Sequence, residues 1–448
     1  MQQMTIYDFL NEKKIITKPI RLIELFAGYG SQALALKYLG VDFTHWRICE
    51  WATKSIQAYN DLHIRDYNDY SKDLTTDAVI NRLATYGVSM NYNEPMTYDQ
   101  IKRKGEKWQR QTYNNIIATN NLVDISKTKA KDLNITDADK YEYILTYSFP
   151  CQDLSIAGKR KGMAKDNETR SGMLWHVERL LNECETLPQV LIMENVPQII
   201  SKKNIEDFKL WQQQLESLGY SNYSTVLNAT KYAIPQKRER CFMISILGNF
   251  KYNFPKKINL KYALKNMLEK KVTNNFYLSN KMLECFLKEN TGGFNRKERF
   301  LQSLEITNIK GIAITITTSQ GNRPISNYII DKPICLNSKV NGKQPSLNDR
   351  VYSISGVMPT CTTTTFFMGN ILQNGKVRKL TPKECFRLMG VKDQDFNNIV
   401  VNQSNSSLYH LAGDSIVTTC LMAIFGELLG LDYETKINEL VEELKECV

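Results

Sequence analysis

Five short apolar runs stand in the first 250 residues of the chain, and most of the intervals between them carry helical spacing. They cover residues 19–26 (PIRLIELF), 44–49, 143–147, 189–193 and 241–246. Helical spacing appears over residues 31–39, from Trp51 to about Asn60, and over residues 172–181 and 207–218. Strands that alternate with helices predict an α/β chain built on a doubly wound, parallel, Rossmann-like sheet. In such sheets ligands sit beyond the carboxyl ends of the strands, so the residues just after each run are the first candidates for chemistry.

The remaining sequence divides around that core. Residues 61–121 are polar, rich in Asn, Tyr and Asp, and predict no element; they read as an insertion. After Gly248 the pattern becomes irregular and Asn/Lys-rich, with β-like pieces such as GIAITITT, until helical periodicity returns at Thr381. The expected organisation is a first domain over residues 1–249, a smaller basic domain over 250–375, and a return to the first domain over 376–448. At 448 residues the chain has length for about two or three domains.

Charge separates the second region from the first. The chain carries a formal +11, and residues 250–375 hold 18 Lys+Arg against 7 Asp+Glu, so the rest balances to zero. An excess confined to one segment points to a phosphate-contacting surface. The ten cysteines are scattered, with no CxxC pair and no clustering with the four histidines, which argues against a disulfide framework or a metal site. Residues 412–431, the most apolar stretch, are broken by Asp414 and Glu427 and read as a packed helix, so no membrane association is expected. The opening MQQMTIYDFL lacks a signal-peptide shape, and the expected location is cytoplasmic.

Two groups of strand ends carry recognisable chemistry. Phe26-Ala-Gly28-Tyr29-Gly30-Ser31 places glycines where backbone must approach a ligand closely. Glu50 ends the next run, placed to accept from a ribose hydroxyl, and Trp51 beside it can stack on adenine. At the third strand end, Pro150 fixes the backbone before Cys151, and a basic loop (Gly158-Lys-Arg-Lys-Gly162) follows. A thiol at a loop edge near cations can be a low-pKa nucleophile. Glu194, in LIMENVP, ends the fourth run, where burial favours a protonated acid. Arg238 and Arg240, in PQKRER, are expected on one face of the next strand.

In this order the motifs resemble those of the cytosine-5 DNA methyltransferase family. FAGYGS is similar to its cofactor turn, ICEW to its ribose and adenine contacts, and LVDI (Asp124, Ile125) to its second adenine contact. SFPCQDLSIAGKRKG resembles the nucleophile loop, RSGMLW (with Leu174) the helix start after it, and MENV the acid motif. YAIPQKRER resembles the arginine motif, RKLTPKECFRLMG the helix after the recognition region, and AGDSI (with Ser415 and Ile416) the C-terminal closure. The likeness covers roughly residues 20–250 and 350–430. Ser31, Ser148 and Asp414 depart from the residues usual at their positions, and none of these changes removes a reacting group.

The resemblance implies an S-adenosylmethionine-dependent enzyme acting on cytosine flipped out of duplex DNA. Cys151 would be the covalent nucleophile, Glu194 the acid toward N3 and the exocyclic amine, Arg240 the holder of O2, and Arg238 a support for the loop or a phosphate. The cofactor contacts implied are Phe26, Gly28, Tyr29, Gly30, Glu50, Trp51, Asp124, Ile125, Pro150, Leu174, Ser415 and Ile416. Residues 250–375 would be the target-recognition domain, with Arg296, Lys297, Arg299 and Arg323 as base-reading candidates by type. One branch of the family acts on tRNA, but its Cys-Phe-Thr signature is missing here. No obligate protein partner is implied; the expected setting is a restriction–modification pair beside an endonuclease, or a solitary or phage enzyme.

Overall fold

The computed structural model describes residues 13, 15–150, 170–277, 358–359, 370–373 and 376–446. It divides into two compact units: one of Met1–Leu227, Arg240–Lys256 and Leu421–Tyr433, the other of Asn228–Glu239, Lys257–Cys420 and Glu434–Val448. Of the C-terminal stretch, only Leu421–Tyr433 groups with the first unit.

The first unit is organised by a six-stranded sheet. Its strands are β1 (Ile20–Leu25), β2 (Phe43–Cys49), β3 (Glu142–Tyr147), β4 (Val190–Asn195), β5 (Tyr220–Asn228) and β7 (Glu239–Leu247), while β6 (Gln236–Lys237) lies outside it. The order across the sheet is β2-β1-β3-β4-β7-β5. β2, β1, β3 and β4 run parallel, but β7 pairs antiparallel with β4, which corrects the expectation of a wholly parallel sheet. Every residue of β3 and β4 is buried, as parallel strands covered on both faces require. Leu174, Val177, Leu180 and Leu181 pack with Phe208, Trp211 and Leu215 against Ile23, Leu25, Leu145 and Met193. β5 escapes prediction because its sequence, YSNYSTVLN, is largely half-exposed and forms no apolar run.

The polar insertion is helical. Thr76–Tyr86, Tyr98–Lys102 and Glu106–Ala118 enclose a small core of Val79, Ile80, Leu83, Ile101, Tyr113 and Ile116. Thr75 caps the first helix, and Thr97 with Gln100 forms a capping box on the second. Each helix buries only a narrow stripe, so the apolar period is drowned by polar neighbours in the sequence.

In the second unit, Thr381 and Glu384 form a capping box at the start of Pro382–Leu388. The Glu384 carboxylate also takes two bonds from Arg378, at 2.8 and 2.6 Å, with both side chains fully buried. Among the described residues, Asn405–Leu429 is long and apolar enough by length and composition to cross a membrane; 83% of its apolar window is buried inside the protein.

Candidate active site

Strand register aligns the candidate residues of the first unit. Leu25 of β1 is paired with Tyr147 of β3, and Tyr147 with Met193 of β4. The glycine turn after β1, the Phe149-Pro150 segment after β3 and Glu194 on β4 therefore all lie within a few residues beyond a common row. At the usual strand spacing that row spans roughly 10 Å. The chain leaves β1 toward β2 on one side and reaches β3 on the other, so this row includes the topological switch point where open α/β sheets bind ligands.

The turn is a chain of left-handed residues: Phe26 at φ 60°, Gly28 at 57° and Gly30 at 82°. A Cβ added at Gly28 would meet nothing within 4 Å, so the turn presents open backbone there. The Glu50 carboxylate braces it, accepting from Gly28 N at 2.9 Å and from Ala52 N at 2.7 Å. Asn121 holds Glu50 in turn, accepting from its N–H at 3.0 Å and donating to its carbonyl at 2.9 Å. Trp51 is half-buried and packs against the helical insertion. The Tyr29 side chain is fully buried, so what Tyr29 offers the turn is backbone.

The other expected cofactor contacts are held by their own surroundings. Asp124 accepts from Ser126 N and Oγ at 2.9 and 2.7 Å and lies 3.5 Å from Lys127. Ile125 and Leu174 belong to the sheet core, Leu174 with no exposure at all. Ser415 and Ile416 are buried in the second unit, where Ser415 Oγ donates to Ala412 O at 3.1 Å. Asp414 pairs there with His410, 2.9 Å between Oδ2 and Nε2.

At the reactive end, Phe149 O accepts from Asn195 Nδ2 at 3.0 Å, tying the segment after β3 to the end of β4. Pro150 is half-buried. Cys151 and the loop after it lie outside the described residues, as do Arg296, Lys297, Arg299 and Arg323. Glu194 Oε1 is 3.0 Å from Arg240 Nε, with side-chain exposures of 10% and 16%. The adjacent guanidinium is a charge partner that strand-end position alone does not reveal.

The two arginines do not share a strand face. β6 ends at Lys237 and β7 starts at Glu239, so the ladder breaks at Arg238. Arg238 is instead buried in the second unit, donating to Gly413 O at 2.9 Å and Ser415 O at 2.6 Å. Asn121, which orients Glu50, carries no motif signal in the sequence, whereas Asn195, which holds Phe149 O, forms a strand-end polar pair with Glu194 in the ENV motif.

The chain is similar to known DNA methyltransferases. A family model described as C-5 cytosine-specific DNA methylase matches residues 96–430. The type II methyltransferase M2.ScrFI of Lactococcus lactis subsp. cremoris is 31% identical, covering 91% of this chain and 99% of its own. The orphan methyltransferase M.SssI of Spiroplasma monobiae is also 31% identical, over 92% of this chain and 98% of its own. The crystal structure of the S. pombe Dnmt2 methyltransferase shares the fold, with a TM-score of 0.53 at 15% identity over 92% of this chain and 98% of that one. The chain belongs to the C-5 cytosine-specific DNA methylase family and is a DNA cytosine methyltransferase.

Proposed function

We propose that the enzyme transfers a methyl group from S-adenosylmethionine to C5 of a cytosine flipped out of duplex DNA, through a covalent bond between Cys151 and C6. The observation that carries this reading is the Glu194–Arg240 pair beyond the common strand row, beside the Asn195–Phe149 bond that anchors the approach to Cys151.

The residues present fit the cofactor. The open face of Gly28, the braced Glu50 and the aromatic Trp51 suit a ligand with a ribose and an adenine, and a two-glycine turn suits one without a pyrophosphate. S-adenosylmethionine, when bound, supplies a methyl group on a sulfonium, which C5 takes.

The chain's own groups act on the pyrimidine. The Cys151 thiolate forms a bond to C6, and the electron pair of the C5–C6 double bond makes C5 nucleophilic. Glu194 gives a proton to N3 and accepts from the exocyclic amine, which offsets the charge that develops on the ring. Arg240 bonds O2 and holds the Glu194 side chain in place. After methyl transfer Glu194 takes back the N3 proton and a base such as water takes the C5 proton, whose bonding pair restores the C5–C6 double bond as the thiolate leaves.

Residues 250–375 supply target recognition, with phosphate contacts from the basic excess and base contacts in the major groove. The test is to express the protein in a host free of cytosine methylation and map 5-methylcytosine on a resident plasmid at base resolution. Methylation of one short duplex sequence supports the reading. Methylation of tRNA with none on duplex DNA would contradict it.

A further inference from the structure

The glycine turn rests on a buried polar cluster that the chemistry above does not use. Glu24, on β1, is fully buried, and strand alternation sets it opposite Ile23 and Leu25, toward the helix Ser31–Leu39. Its Oε1 accepts from Ala33 N at 3.3 Å, and its Oε2 accepts from the Tyr59 hydroxyl at 2.5 Å. His45 Nδ1, from β2, lies 2.8 Å from that hydroxyl. The His63 ring packs on both neighbours, with centroids 4.7 Å from Tyr59 and 5.3 Å from His45.

His63 reaches the turn itself. Its Nε2 donates to the Tyr29 carbonyl at 2.9 Å; a carbonyl only accepts, so Nε2 carries the hydrogen. At Gly30 the approach is too close for any side chain: a Cβ there would sit 2.5 Å from His63 Nε2 and 2.7 Å from Tyr59 Cε2. The turn is thus held at Tyr29 O by the imidazole, and the helix start that follows it at Ala33 N by the carboxyl that Tyr59 orients.

We propose that His63 and Tyr59 are positioning residues for the methyl donor, holding the Gly28–Gly30 turn in its cofactor-accepting shape, His63 through the Tyr29 carbonyl and Tyr59 through Glu24. The proposal rests on the reading of this turn as the S-adenosylmethionine site. Placing polar groups in a core costs free energy unless each is paired. Here the pairing runs outward to two backbone groups just after the open glycine, Tyr29 O and Ala33 N, where apolar side chains could fill space without fixing the carbonyl.

The cluster keeps its pairing in either protonation state. Burial raises Glu24 to about 7, and burial, with Lys37 of the following helix facing the imidazole, lowers His45 to about 4. When Glu24 is ionised, Tyr59 donates to it and His45 Nδ1–H donates to Tyr59. When Glu24 is protonated, it donates to Tyr59, whose hydroxyl then donates to His45 Nδ1. Burial, His45 and Lys37 also hold His63 well below its usual range, hence neutral and able to keep its bond to Tyr29.

The experiment compares full-length wild-type protein with His63→Gln, His63→Leu and Tyr59→Phe. S-adenosylmethionine is titrated by calorimetry, and duplex-DNA methylation kinetics are measured alongside. Glutamine offers an N–H for the Tyr29 carbonyl; leucine fills similar volume without one. His63→Leu should weaken cofactor binding and raise its KM by about tenfold, with kcat at saturation falling less than about twofold, and His63→Gln should recover most of the loss. Equal affinities in wild type, His63→Leu and His63→Gln, with only thermal stability lowered, would overturn the proposal. The cofactor reading would survive that result if Glu50→Ala still weakened binding. If His63→Leu does not fold, Tyr59→Phe decides, because it deletes a single oxygen and unchanged affinity there overturns the proposal equally. A wild-type protein that binds no S-adenosylmethionine would overturn both.

Discussion

Arg240 Nε stands 3.0 Å from Glu194 Oε1 because β7 runs antiparallel to β4. Glu194 is paired with Phe242, and Arg240, two residues before Phe242, shares its face as a diagonal neighbour. A parallel β7 would put its other end there. The reversal of one strand thus brings the proposed acid and the proposed O2 ligand together.

Arg240→Ala should destabilise the protein by about 3 kcal/mol, because it leaves a largely buried carboxylate without its charge partner. Adding Glu194→Gln to Arg240→Met should restore most of that stability and none of the methylation. Urea unfolding and a methylation assay on the same preparations check both halves. Unchanged unfolding in Arg240→Ala would show that the pair does not form in solution.

Glu50→Ala removes the acceptor for Gly28 N and Ala52 N as well as the proposed ribose partner. S-adenosylmethionine affinity should fall by about 10- to 100-fold, with DNA affinity nearly intact. Calorimetry for the cofactor and a mobility shift for DNA separate the two effects. Equal losses on both would point to general unfolding of the turn.

Glu24 sets a pH dependence whose sign can be worked out. Its folded value is raised from 4.5 to about 7, so its stabilising contribution is complete at low pH and is lost as pH rises through that interval. His45, lowered from 6.5 to about 4, acts oppositely, losing stability as pH falls through its own interval. Glu24→Gln resembles the protonated acid, accepting from Ala33 N while donating to Tyr59. It should be more stable than wild type at about pH 8, by up to about 3 kcal/mol, with the advantage gone near pH 4.5. Unfolding at four or five pH values tests this; a difference independent of pH would show that Glu24 does not titrate there.

Much of the site was legible because its residues sit at strand ends within short contiguous motifs. The helix Ser31–Leu39 and the starts and stops of β1, β3 and β4 follow from apolar runs and glycines. What was hidden depends on contacts across the sheet. β5 lacks an apolar run because it is half-exposed, and the break at Arg238 leaves no composition signal. Tyr59 and His63 look like ordinary helix and loop residues until β2 and the turn close on them. The direction of β7, on which the Glu194–Arg240 pair depends, is a matter of topology.

The central claim is a covalent bond from Cys151 to cytosine, and a duplex with 5-fluorocytosine at the mapped target tests it most directly. Thiolate addition and methyl transfer proceed, but fluorine replaces the proton at C5, so the thiolate cannot leave. The account predicts a protein–DNA complex that survives denaturation, requires S-adenosylmethionine, is absent in Cys151→Ser, and maps to Cys151 by peptide sequencing. Wild-type protein that methylates ordinary DNA yet forms no such complex with the fluorinated site would contradict the covalent mechanism, and an adduct on another cysteine would contradict the residue assignment.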